Sequence, residues 1–441
     1  MTNRIISALY RKPIIIFLIL TIIIFIDISL IKIINQINLL EKSAITIFIL
    51  ITISSIIGAT ILLFINRNLI KNSKFFRNEI TNSSKIMTIS QLSIIFLIAI
   101  VLIQIIYQNS SYYFLCIGIV IISYIVALFF SLLLSIKSLK WYLRERGVIV
   151  IGHSVTLAIV SVFILSSFLY FLYGNIDDIN FILKPIKIKE SIAQKAMVLN
   201  LFETSYSISY AASVISIWFL TFVLLSNYLE SNYKKIFLLI FCVPLLYFLL
   251  KFTPFGLNLL TSLIMIDPYF YGTIYTVLFS GTGPLTGILF FIPLRIFASK
   301  IKNDEVKRFS IIMSFGILIF FTSNQEPPLQ ERMFPPFGII AAGFTGFAMY
   351  LFYFGMYSNV IFLAKFGLFK SFILTKVKND KFFRSMARSQ LEQELKPTID
   401  KCLTKFKIEE STELEKNEVE DLVDIIKKEM KRSKEGYYRK K

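Results

Sequence analysis

Residues Ile14 to Ile34 form an apolar run interrupted only by Thr21, Asp27, Ser29 and Lys32. Comparable runs recur through the first 363 residues: about 43–65, 87–107, 112–136, 148–173, 205–226, 236–252, 271–294, 309–323 and 337–363. An apolar stretch of about 18 residues or more is long enough to cross the hydrocarbon of a bilayer as a helix, because every backbone polar group is then bonded within the segment. The expected fold is therefore all-α, a polytopic transmembrane bundle of about ten helices over residues 1–363. A charged helical tail over 364–441 should follow it. The 309–323 run, with only about 15 apolar residues, is short for such a span. The stretch 253–268 is apolar but interrupted, which fits a re-entrant segment. The outer segment 174–204 balances four lysines against four acids and is Ile- and Phe-rich, so part of it should lie along the interface.

The net charge of +19 is distributed topologically. Arg67, Lys71, Lys74, Arg77 and Lys85 cluster in one loop, and Lys137, Lys140, Arg144 and Arg146 in the next but one. Lys234 and Lys235, and then Arg295, Lys300, Lys302, Lys307 and Arg308, continue the alternation. Positive loops stay cytoplasmic, so both termini are expected inside a cell membrane that the chain crosses many times. A bilayer explains the basic charge, and no nucleic-acid partner is expected. Cys116, Cys242 and Cys402 form no CxxC pair, and His153 is the only histidine. Metal sites and cofactors are not expected, and no hydrolase, nucleotide or zinc-protease motif suggests an enzyme.

Glycines, prolines and charges concentrate between Asp267 and Tyr357. The run Gly281-Thr282-Gly283-Pro284-Leu285-Thr286-Gly287 reads in two ways. Gly281, Gly283, Pro284 and Gly287 can unwind a membrane helix and expose backbone to an ion or solute. They can equally serve close helix packing with a proline kink. Asn324, Gln325 and Glu326 open a loop that also holds Glu331 and Arg332 between two Pro-Pro pairs, either a ligand-facing lid or a stiff connection. Asp27, in the outer half of the first helix, requires a partner or a wet cavity. His153 reads chiefly as a packing residue.

The tail holds half of the chain's 28 acidic residues. Thr412 to Glu415 fit a capping box, and Val419, Leu422, Ile426 and Met430 then recur at helical spacing. That stripe should dock a cytoplasmic protein partner, a second copy, or another tail helix. The last residues, 431–441, are basic and are expected to be disordered.

The residues Leu278-Phe279-Ser280 through Phe291, Ser323-Asn324-Gln325, Pro335-Pro336-Phe337-Gly338 and Met356-Tyr357-Ser358-Asn359 carry a resemblance. On them the chain resembles a group of uncharacterised polytopic membrane proteins of ammonia-oxidising archaea, mainly over residues 270–400. The resemblance implies a shared architecture and a charged helical tail. It brings no activity, so no catalytic residue is carried over. Function is expected to be receptor- or sensor-like, with the tail passing a signal on. A transporter of a small solute or ion, or a structural subunit of a membrane complex, are the alternatives.

The topology can be tested with single cysteines in a background lacking Cys116, Cys242 and Cys402. Cysteines at Ser73 and Ser433 should be shielded from an impermeant thiol reagent in whole cells, and one at Ser191 should react. The reverse pattern would reject the orientation.

Overall fold

The computed structural model describes residues 13–37, 41–72, 78–108, 113–144, 148–175, 192–226, 242, 245–246, 282–300, 304–324 and 334–369. The chain divides into two compact units, Met1–Arg388 and Ser389–Lys441, and every helix described below belongs to the first. Among the described residues there are nine long helices and no strand. They are α1 (Pro13–Ile37), α2 (Glu41–Asn72), α3 (Asn78–Gln108), α4 (Tyr113–Arg144), α5 (Val148–Gly174), α6 (Ile192–Ser226), α7 (Thr282–Lys300), α8 (Asp304–Ser323) and α9 (Ile339–Phe369). The tenth expected helix, at 236–252, and the interrupted stretch 253–268 lie outside the described residues. So do the docking stripe Val419, Leu422, Ile426 and Met430 and the rest of the tail.

Seven helices (α2 to α6, α8 and α9) are long and apolar enough to cross a membrane, and α1 adds the apolar stretch Ile15–Ile31. The helices extend beyond the expected boundaries where polar residues can reach the bilayer edge. α8 begins at Asp304, not near Phe309, and has 20 residues. Its opening Asp304 and Glu305 suit the positive end of the helix dipole, so the charged cluster starts the helix instead of delaying it. α6 begins at Ile192 and has 35 residues, so 192–204 are its first turns. α3 begins at Asn78, which places Lys85 inside a helix and leaves 73–77 as the connection.

Burial separates the helices into a wall and a centre. In the apolar windows of α2 and α3 about a third of the residues are buried, against 89% in α8 and 100% in α9. The large exposed side chains of the wall, such as Leu50, Ile89, Phe96 and Phe219, are apolar, as a surface against acyl chains must be. α9 packs on α8, on α4 and, less extensively, on α1 and α3, while α7 packs on α8 and α6.

Small residues set the central distances. A Cβ at Gly316 of α8 would lie 2.5 Å from the Phe352 backbone nitrogen of α9. One at Gly355 of α9 would lie 2.6 Å from the Met313 nitrogen and the Phe309 carbonyl oxygen of α8. Each helix thus presents a glycine to the other's backbone, one near each end of the contact. In a bilayer, where lipid competes with side chains for apolar contact, such close backbone approach is a main source of helix association.

Gly316→Ala forces two backbones apart and should destabilise the bundle by about 1–3 kcal/mol. Gly118→Ala, whose Cβ would find only a Leu97 methyl at 4.0 Å, should be neutral or slightly stabilising. Thermal unfolding of the two variants in one detergent checks the contrast.

Candidate functional site

The candidate site follows from where α9 begins. Gly338, at φ 85°, turns the chain into the helix, and its carbonyl accepts the first helical bond from the Ala342 N–H at 3.0 Å. Gly338 thus occupies the N-cap but has no side chain to accept the free N–H groups of the first turn. Asp27 of α1 supplies that acceptor from another helix. Its Oδ2 accepts the Ala341 N–H at 3.0 Å, and the N–H groups of Gly338 and Ile340 also face the carboxylate. Asp27 is completely buried. The intramembrane acid is therefore a cap, held where the helix dipole is positive. Its second oxygen, Oδ1, has no hydrogen-bond partner among the described residues.

Asp27 also shows how deep α9 starts. Ten residues of α1 separate Asp27 from Ile37, about 15 Å of helix. With α1 taken as running upward, the other wall helices overshoot in the same way. Phe48 of α2 packs edge-on against Phe337, and Glu41 lies about 10 Å higher along its helix. Gly343 faces Ile98 of α3, and Gln108 lies about 15 Å above that point. Tyr124 of α4 bonds Asn324, and Tyr113 stands about 16 Å above Tyr124. Tyr210 of α6 meets Thr282, and Ile192 lies about 27 Å above Tyr210. The upper ends of α7, α8 and α9 are thus recessed, by roughly 10–15 Å, within a wall of longer helices.

α7 and α8 end at the same depth. A Cβ at Gly287 would lie 3.0 Å from the Leu318 backbone, and five residues upward from each reach Thr282 and Ser323. This places the expected site residues. Gly283 and Pro284 lie in the first turn of α7 and do not interrupt a helix at mid-membrane. Proline is tolerated there because its missing N–H would have had no helical acceptor. Gly287 serves packing, through its approach to Leu318. Gly281, Gln325, Glu326, Glu331 and Arg332 lie outside the described residues.

Asn324 closes α8. Its N–H donates to the Phe320 carbonyl at 3.0 Å, and its Oδ1 accepts the Tyr124 hydroxyl at 2.5 Å. Its Nδ2 has no partner among the described residues, although the side chain is 1% exposed. Beside it the Thr345 hydroxyl donates to Ser323 Oγ at 3.2 Å, and the Gly346 N–H donates to Ser123 Oγ at 2.9 Å. Tyr210 and Thr282 hydroxyls meet at 3.3 Å. An aromatic cluster joins these groups: Phe163 stands 5.2 Å from Tyr210 and 6.3 and 6.5 Å from Phe320 and Phe321, ring to ring. The recessed end is therefore polar at the helix ends and aromatic between them.

The lower half of α9 carries a second polar face that the sequence reading did not single out. Tyr350 accepts from Asn66 Nδ2 at 2.7 Å, Tyr353 bonds Ser83, and Tyr357 donates to Glu79 Oε2 at 2.8 Å. Lys137 Nζ lies 2.6 Å from the same Glu79 oxygen and 3.8 Å above the Tyr357 ring, and Trp141 stacks on that ring. The 3–4 spacing of the three tyrosines was the available signal, but which face they occupied depended on the packing. His153 contacts Met356 Sδ at 2.9 Å and Phe352, a packing role as expected.

No protein-family model, curated protein or solved structure matches the chain.

Asp27→Leu removes the cap and leaves buried N–H groups without an acceptor. It should cost about 1–2 kcal/mol of stability, with Asp27→Asn losing less because its amide oxygen still accepts. Chemical unfolding monitored by circular dichroism in detergent gives both values.

Proposed function

We propose that the protein is a membrane receptor or sensor-like protein in which α9 carries a state of the recessed upper end to the tail. One observation carries this reading: α9 is buried along its whole apolar window while polar contacts hold it at both ends. Asp27 holds the upper end, and the Glu79, Lys137 and Tyr357 group holds the lower. A helix enclosed by protein cannot relax against lipid, so a change at its first turn is passed to its packed neighbours and along its length. Closely packed interfaces of this kind switch between discrete arrangements and do not deform continuously. The chain continues from α9 directly into the tail, whose apolar stripe at Val419, Leu422, Ile426 and Met430 suits a cytoplasmic protein partner or a second copy.

Transport of a small solute is the second reading, favoured by the start of α7 at membrane depth beside glycine and proline.

Trp141 and Trp218 are the only tryptophans, and Trp141 stacks on Tyr357 at the lower end of α9. In a Trp218→Phe background, Asp27→Asn should change Trp141 emission through the length of α9. Unchanged emission rejects transmission. Solute movement by the purified protein in liposomes, lost when Gly283 and Pro284 are both replaced by alanine, replaces the sensor with a transporter.

A further inference from the structure

We propose that the first turn of α7 and the Asn324 amide together bind a small organic monocarboxylate. The inference rests on reading the recessed end as ligand-facing, and it names the chemistry that end would recognise.

Two independent observations converge. The first is the end of α7. The first four N–H groups of a helix have acceptors only outside it, and the dipole makes that end favourable for negative charge. Pro284 has no N–H to offer, so Gly283 and Leu285 are the donors beside Thr282. Gly283 is buried and has no side chain to keep a ligand oxygen from the backbone. The second is Asn324, whose Nδ2 is a buried donor with no acceptor among the described residues. In a bilayer-depth interior such a group is costly unless a partner arrives. Its Oδ1 is engaged by the Tyr124 hydroxyl, which fixes the amide so that Nδ2 is the arm left over. The Gly287–Leu318 contact sets both features at the same depth on adjacent helices.

The ligand class follows from the donors. They are neutral N–H groups, with no described Lys or Arg side chain among them. Neutral donors in a low-dielectric site suit one delocalised negative charge better than a dianion. Asp27, at the neighbouring helix end, adds a negative charge that disfavours polyanions further. The Phe163, Tyr210, Phe320 and Phe321 rings offer an apolar surface to the body of such an acid.

The test uses the purified full chain in detergent, with benzoate as the probe and benzamide as its uncharged counterpart. Saturation-transfer NMR should show saturable benzoate binding, with benzamide weaker by about tenfold or more. Asn324→Asp keeps an oxygen for Tyr124 but puts negative charge where a donor stood, so benzoate binding should fall by about tenfold or more. Gly283→Val, which obstructs the first turn of α7, should act in the same direction and serves if Asn324→Asp does not fold. Equal binding of benzoate and benzamide overturns the site. Displacement of benzoate by an equal concentration of chloride overturns the carboxylate assignment. Absent binding with Trp141 still responsive to Asp27→Asn removes this site and leaves transmission standing. Saturable binding with Trp141 unmoved supports the site and removes transmission.

Discussion

A helix that starts inside a bilayer exposes N–H groups where no water can accept them. The arrangement around α9 follows from that constraint. Gly338 makes the turn but cannot cap it, so the acceptor comes from 311 residues earlier in the chain, as the Asp27 carboxylate. That one contact fixes α1 against α9. It also permits α9 to begin well below the ends of the helices around it. A carboxylate is an expensive group at this depth, and the helix end is one of the few neutral environments that offers it several donors at once.

Close packing of the central helices complements the cap. Gly316 and Gly355 let α8 and α9 approach backbone to backbone, and Gly287 does the same for α7 and α8. Gly346 lets α9 meet Ser123 and Val126 of α4. The result is a centre formed by short-range contacts between small residues, enclosed by helices whose outer faces are long apolar side chains. Because α9 touches protein on all sides, its polar residues are hydrogen-bonded to neighbours and not to solvent. The tyrosines at 350, 353 and 357 illustrate this, each finding a partner on α2 or α3.

The two ends of α9 differ in kind. At the lower end every prominent polar group is engaged: Glu79 is shared by Lys137 and Tyr357, and Lys137 also sits over an aromatic ring. At the upper end Asp27 Oδ1 and Asn324 Nδ2 keep unused capacity among the described residues. Fully engaged groups fix a structure, whereas a buried donor or acceptor with spare capacity marks a place where a further partner gains most. This asymmetry is why ligand recognition is placed at the upper end and transmission along α9.

The class of fold was written in the amino-acid sequence because it depends on composition within short windows. Long Ile, Leu and Phe runs must be helical in hydrocarbon, whatever they pack against. Asp27 and Asn324 were also legible as candidates, because a carboxylate in an apolar run and a polar residue at its end are conspicuous locally. What Asp27 bonds to was not legible, since its partner is the backbone of residue 341 and no side-chain pattern records it. The glycine run at 281–287 was read as a break within a span. Tertiary structure made its described part a helix start and gave Gly287 a packing role, because the deciding contact is with Leu318 on another helix. The helix ends around the site were likewise settled by packing. Charged residues that seem to end an apolar run can begin a helix when dipole and bilayer edge favour them, as Asp304 and Glu305 do. Local sequence thus determined what each segment is. Only the assembled bundle decided which helices lie at the centre and how deep they begin, because depth and burial are properties of neighbours.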